Sequence, residues 1–385
     1  MQRAPWLLAV LLAVGVLAGC GSDGYHPSGP FRPLPEGAPP EVGPPSDTAP
    51  VPAPQPPGEQ PKPGSGQRAG DPNVVASGLA VPTGLVVLPD GSAVVGERDT
   101  GRLLQVFPDR APARVLMTVG GIDTRGDGGL LGLALSPTYQ QDGLLYAYIS
   151  TATDNRVIRF PLGGTPNPVF TGIPRGDVHN GGGLVFGPDG DLWVGTGDTG
   201  TPALAQDPRS LAGKVLRIDV FGRPAGPQAI YSTGHQDVTA LCIGSDQTLY
   251  ATDDSARGPD ALDAIVRNGD YGSTAEANRS GDPVVEVPAP AGGLAGCASA
   301  GRVVFLGALD GERLHVVKLD PSGTVSQEPE EVLRGQYGRL RTVVLDAAGG
   351  LWITTSNRDG IGTPRDGDDK VLRIVPPTAE GRSPL

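Results

Sequence analysis

A short motif that recurs along most of the chain limits the folds open to it. Each copy is an apolar strand, a turn built on Pro-Asp-Gly or a relative, a second strand rich in β-branched and aromatic residues, then a polar loop and a third strand. Clear copies are GLVVLPDGSAVVGER from Gly84, GLALSPTYQQDGLLYAYIS from Gly132 and GLVFGPDGDLWVGTGD from Gly183. Weaker copies are ALCIGSDQTLYATDD from Ala240 and VVLDAAGGLWITTSN from Val343, and GRVVFLGALDGERLHVVKLD from Gly301 reads as a degenerate sixth unit. Neighbouring starts lie roughly 40 to 60 residues apart, the length of a four-stranded propeller blade rather than of a helical repeat. No window sustains a helical period. A stretch of about 315 residues is too long for one ordinary core, and a repeat architecture resolves that difficulty. The expectation is an all-β fold: a six-bladed β-propeller of four-stranded antiparallel blades over residues 71–385, with loops at one channel mouth building any site. Asp90-Gly91 and Asp189-Gly190 supply turn residues that tolerate positive φ, so both aspartates are read as structural.

The N-terminal residues have a different character. Residues 1–20, MQRAPWLLAVLLAVGVLAGC, carry one early cation at Arg3 and an apolar run from Trp6 to Leu17. The run is too short to span a bilayer and reads as a targeting segment. Its Leu-Ala-Gly-Cys ending resembles the lipobox of bacterial lipoprotein signals, which implies acylation of Cys20 and an extracytoplasmic, membrane-anchored protein. An ordinary cleaved secretory signal is the alternative. Residues 21–70 follow as a spacer: 15 of the chain's 41 prolines lie between Gly21 and Gly64, among too few aliphatic side chains to offset ordering entropy. Polyproline II at about 3.1 Å per residue gives it a reach on the order of 100 Å.

Net charge is -12 and no Lys/Arg cluster appears, which argues against nucleic acid as a partner. Besides Cys20 there are only Cys242 and Cys297. Outside the cytoplasm such a pair reads as a disulfide, with two separate buried thiols as the alternative.

Six segments, taken in order, carry a family resemblance over roughly Val74 to Val375. They are ERDTGRLLQV from Glu97, GDGGLLGLALSP from Gly126, HNGGGLVFGPDGDLWVGTGD from His179, LAGKVLRID from Leu211, IYSTGH from Ile230 and GRLRTVVLDAAGGLWI from Gly338. Together they resemble the glucose/sorbosone dehydrogenases, the quinoprotein glucose and aldose sugar dehydrogenases. The segments SPTYQQDGLLYAYISTATDNRVIR and DPRSLAGKVLRI are similar to a mycobacterial lipoprotein with the same lipobox and proline-rich linker, which implies an actinobacterial source.

The resemblance implies oxidation of the anomeric carbon of a small-molecule sugar, with pyrroloquinoline quinone (PQQ) accepting a hydride and calcium polarising the quinone. A neutral histidine must take the hydroxyl proton, and a carboxylate must orient it. His179 falls at the family's base and Asp198, in GTGDTG, at its orienting acid. A loop histidine that merely bonds backbone is the alternative for His179. Arg339 and Arg341 match two cofactor-binding arginines, and their spacing of two on a strand would turn both to one ligand. Two solvated arginines on an outer face would look the same.

Other cofactor positions depart from the family. Asp127 stands for glutamine, Gln236 and Asp237 for an Arg-Asn pair, and Asp310 for lysine. The changes add about five negative charges, each worth about 1 kcal/mol at 4 Å in bulk water and about 4 kcal/mol at an effective dielectric near 20. The family's calcium is held largely by backbone carbonyls that map to Ser255 and Ala256, with Asp253 and Asp254 as adjacent hard ligands. Solvated loop aspartates are the alternative, and the run Asp366 to Asp369 is a weaker candidate. Two functions therefore stand open: a PQQ- and calcium-dependent dehydrogenase, or a propeller with a degenerate quinone site serving as a binding or scaffold module in the cell envelope.

Overall fold

A computed structural model describes residues 70–256, 258–272 and 279–375. Cys20, the targeting segment 1–20 and the spacer up to residue 69 lie outside the described residues.

The strands form six antiparallel sheets in consecutive order around a ring. Their innermost strands are Pro82–Val87, Leu130–Leu135, Leu184–Phe186, Ala240–Ile243, Leu294–Ala300 and Leu340–Leu345. Five blades are local meanders. The sixth takes its outermost strand, Val74–Ser77, from the start of the described chain, pairing Val74 with Leu372 and Ser77 with Lys370. Asp71 strengthens this closure by accepting the Tyr337 hydroxyl at 2.7 Å. The third blade has a fifth strand, Gly269–Asp270, lying parallel to Ile230–Thr233. Among the described residues helix is confined to the short turns Tyr139–Asp142 and Pro202–Gln206.

The repeats have this shape because each sheet is apolar on both faces and must be covered on both. Val94, Leu103, Leu130, Leu145 and Phe160 fill the space between the first two blades. Val75, Leu85, Val95, Trp352 and Val371 fill the one between the last and the first. Comparable clusters occupy the other four gaps. Each fully buried Leu or Val contributes about 1.5–3 kcal/mol relative to exposure, so the ring is stabilised chiefly between blades. Trp352 is wholly buried and still satisfied, donating its indole N–H to Asp346 at 3.0 Å. Asp90 accepts the backbone N–H of Ser92 at 2.9 Å, and Gly91 follows with φ 83°. Asp189 pairs with Arg217.

One repeat differs from the sequence expectation. The unit from Gly301 supplies the second and third strands of the fifth blade, Val303–Ala308 and Arg313–Lys318. The innermost strand of that blade is Leu294–Ala300, LAGCASA. The copy looked degenerate because it is displaced by one strand.

A cavity of about 400 Å³ runs along the axis, lined by all six inner strands. Within that lining a disulfide joins Cys242 to Cys297, linking the inner strands of adjacent blades across a Cα separation of 5.6 Å. Replacing both cysteines by alanine is expected to lower the unfolding free energy by about 2–4 kcal/mol, read from urea transitions of the oxidised and variant proteins.

Candidate functional site

The loops that precede the inner strands meet at one mouth of the channel, and glycines let their backbones touch. Gly126 has φ +63°, and a Cβ there would lie 2.0 Å from the carbonyl oxygen of Asp177. A Cβ on Gly197 would lie 2.0 Å from the carbonyl oxygen of His179. Close approach brings Asp127 onto the next blade's loop, where Oδ2 accepts the backbone N–H of His179 at 2.7 Å and Oδ1 accepts the amide of Asn180. His179 adopts φ 53°, a left-handed conformation costly to a residue with a side chain. Asp127 helps to hold it there.

That backbone turns the His179 ring toward Asp198. Nδ1 lies 2.7 Å from Asp198 Oδ1, and Asp198 also accepts the Gly200 N–H at 2.8 Å. A neutral ring with its proton on Nδ1 presents the Nε2 lone pair, and the side chain remains 24% exposed. The hydrogen bond that Asp198 accepts is the main influence raising the His179 pKa above its ordinary value, while burial opposes it. This arrangement can accept a proton from a hydroxyl group.

Carboxyl groups crowd the rest of the mouth. Asp237 is buried and accepts the Gly181 N–H at 2.8 Å. Burial first, then the charge of Asp127, pushes its pKa up to about 7. Asp254 rises to about 8 through burial and the neighbouring Asp260, Asp237 and Asp310. Gln236 contributes through its backbone, its carbonyl accepting the Asp198 N–H at 2.7 Å.

The two arginines differ. Arg339, 7% exposed, donates from Nη1 to Asp310 at 2.7 Å and from Nε to Asp359 at 2.8 Å. Asp310 itself is 60% exposed. Arg341 forms no hydrogen bond or ion pair among the described residues, and the charges acting on it are those of Arg98, Asp237, Asp127 and Asp359. Thus Asp127, Asp237 and Arg341 gather near the His179–Asp198 dyad, and Asp310 and Arg339 meet beside them.

Of the expected metal ligands, Asp253 and Ser255 are engaged within the protein. Asp253 turns inward and accepts the N–H groups of Gln236 and Asp237 at 2.9 and 2.8 Å. The Ser255 N–H donates to Asp260 at 2.8 Å, and Ala256 is exposed. In the later acidic run, Asp368 binds Lys370 and Asn357, and Asp369 accepts the Asn357 N–H. Sequence reasoning missed Asp359, which occupies Arg339 from a turn after the second strand of the sixth blade, and Asp260, which accepts the N–H groups of Gly293 and Leu294. No motif marked either.

Residues 79–289 match the glucose/sorbosone dehydrogenase family profile. That span is more than half the chain. The chain belongs to the glucose/sorbosone dehydrogenase family. Among solved structures it is similar to the PQQ-bound aldose sugar dehydrogenase of Streptomyces coelicolor, at 38% identity and TM-score 0.75 over 78% of this chain and 96% of that one. A Thermus thermophilus protein described as a putative oxidoreductase (glucose dehydrogenase) matches at 33% identity and TM-score 0.72, over 78% and 98% of the two chains. Quinoprotein glucose dehydrogenase B of Acinetobacter calcoaceticus is 28% identical over 52% of each chain. The chain spans about half the length of the curated relatives it matches.

The raised pKa of Asp237 has a consequence for stability. Its folded pKa of about 7 lies above the ordinary carboxyl value of 3.8, so the contribution of the protonated form is lost as pH rises from about 4 through about 7. Asp237→Asn keeps an acceptor for Gly181 without the charge. It is expected to raise the thermal midpoint at pH 8 relative to the parent and to leave it nearly unchanged at pH 4.

Proposed function

We propose that this protein is an extracytoplasmic aldose dehydrogenase, held at an actinobacterial cell membrane through acylated Cys20 and using PQQ with calcium. The observation that carries the proposal is the 2.7 Å contact of His179 with Asp198 at a channel mouth, with Nε2 left open. His179 Nε2 takes the proton of the anomeric hydroxyl. Asp198 is a positioning residue: it keeps the Nδ1 proton in place and favours the imidazolium that forms. Bound at the mouth, PQQ would supply the acceptor for the hydride leaving the anomeric carbon.

The cations present suit an anionic quinone in part. Arg341, without an ion-pair partner, is open to one of its carboxylates, and Arg339 can reach it on giving up the exposed Asp310. Calcium beside Asp254, Ser255 and Ala256 would offset the surrounding carboxyl groups. Asp127 and Asp237 brace backbone N–H groups and so shape the pocket from behind.

A second reading rests on the same Arg339. With both sides of its guanidinium held by carboxylates, and with acids at positions where the family has neutral or cationic residues, the propeller would be a binding module of the envelope that no longer takes the quinone.

Calorimetry with PQQ at millimolar calcium separates the two. The dehydrogenase reading expects binding, and glucose- or other aldose-dependent dye reduction that falls about 10²–10⁴-fold in His179→Ala. Absence of PQQ binding would sink it. The rate should rise with pH along a limb above pH 6.5, because His179 must be neutral and its pKa is raised. Asp198→Asn should move that limb to lower pH while depressing the plateau. Asp310→Lys should tighten PQQ binding about tenfold or more, since about 1.4 kcal/mol suffices.

A further inference from the structure

Behind the mouth, three side chains that the dehydrogenase chemistry does not use form a closed polar cluster. His235 is 0% exposed, Asp253 7% and Asp263 1%. One nitrogen or oxygen from each lies within 4.8 Å of the others. His235 Nε2 is 2.8 Å from Ser232 Oγ, and Nδ1 is 3.2 Å from Asp253 Oδ2. The Tyr271 ring stacks on the imidazole at 4.8 Å and covers one side.

Hydrogen bonding leaves this cluster incomplete. Asp253 Oδ1 is taken by the backbone N–H groups of Gln236 and Asp237, which leaves Oδ2 facing the imidazole. Asp263 Oδ1 accepts from Arg279, but Asp263 Oδ2 is buried with no partner among the described residues, as is Arg279 Nε. Buried carboxylate oxygens are rarely left so, since each unsatisfied group costs about 1–3 kcal/mol or more. Two carboxylates against one guanidinium also leave a negative charge in a dry interior.

We propose that His235, Asp253 and Asp263 bind a divalent transition-metal ion, zinc by the character of the ligands. One imidazole nitrogen and two carboxylate oxygens suit zinc, whereas calcium demands six to eight oxygens. With an ion on Nδ1, the ring proton would sit on Nε2 and be donated to the Ser232 hydroxyl 2.8 Å away, a support that holds the imidazole in the metal-binding tautomer. The ion would tie three pieces together: the loop of His235 and the strands Leu249–Asp253 and Asp260–Ala264. Asp253 in turn holds Gln236 and Asp237, and Gln236 holds the Asp198 backbone. The site therefore braces the dyad from below without touching substrate.

The test is metal analysis of the full chain after zinc loading and gel filtration, beside thermal melting. One tightly held zinc per chain and a raised Tm are expected. His235→Gln and Asp263→Asn should lose the ion, and cobalt in its place should give a visible ligand-field spectrum in the parent that both variants lack. Ser232→Ala, which alters only the support of the imidazole, should keep the fold and weaken zinc binding about 10–100-fold. Asp310→Ala, at the mouth, should retain it. If the parent leaves the column free of zinc with an unchanged Tm, His235 is a protonated partner of the two aspartates and the proposal falls. It falls equally if the His235 and Asp263 variants hold zinc as the parent does.

Discussion

Closure of the ring is the constraint on which the molecule depends. Each blade is apolar on both faces, so the core is complete only when the last blade meets the first. Trp352 and Val371 on one side of that seam pack with Leu85 and Val95 on the other, and the Thr342 hydroxyl crosses it to the Thr83 carbonyl. Without the seam, two sheet faces would stand in water. The fourth strand of the last blade, Val74–Ser77, completes the sheet that covers them.

The same circular order organises the mouth. Each inner strand begins beside the next, so a loop of one blade is within reach of its neighbour's. Asp127 of the second blade's loop holds His179 of the third's, and Asp237 of the fourth's holds Gly181. Asp310 of the fifth meets Arg339 of the sixth. The acids of the mouth are thus partly absorbed into a belt of contacts between loops. Burial first, and then the mutual repulsion of these acids, raises the pKa values of Asp237 and Asp254.

Much of the fold was legible because three of the six inner strands carry or directly follow a Gly-Leu start, two more are plainly apolar, and all five lead into a recognisable turn. The sixth, LAGCASA, is built from small residues, and the turn after it has no Pro-Asp-Gly signal, so the repeat was placed one strand late. Residues of the mouth were legible as positions but not as partners. His179 and Asp198 lie 19 residues apart, and only strand geometry brings them to 2.7 Å. That Arg339 would be held by Asp359 as well as Asp310 depends on the direction of a turn, which no pattern of residue types records. His235 closes the IYSTGH segment, but nothing in that segment marks a partner for it; its neighbours Asp253 and Asp263 come from two different strands.

The strand Val74–Ser77 has a mechanical meaning as well as a topological one. It is the outermost strand of its blade and the first strand of the described residues, at their N-terminal end. Tension arriving from that direction would load a single short strand pairing before it reached any other part of the ring. The pairing of Val74 with Leu372 and Ser77 with Lys370 would be its weakest link under load, because releasing it opens the seam while leaving five blades as complete meanders.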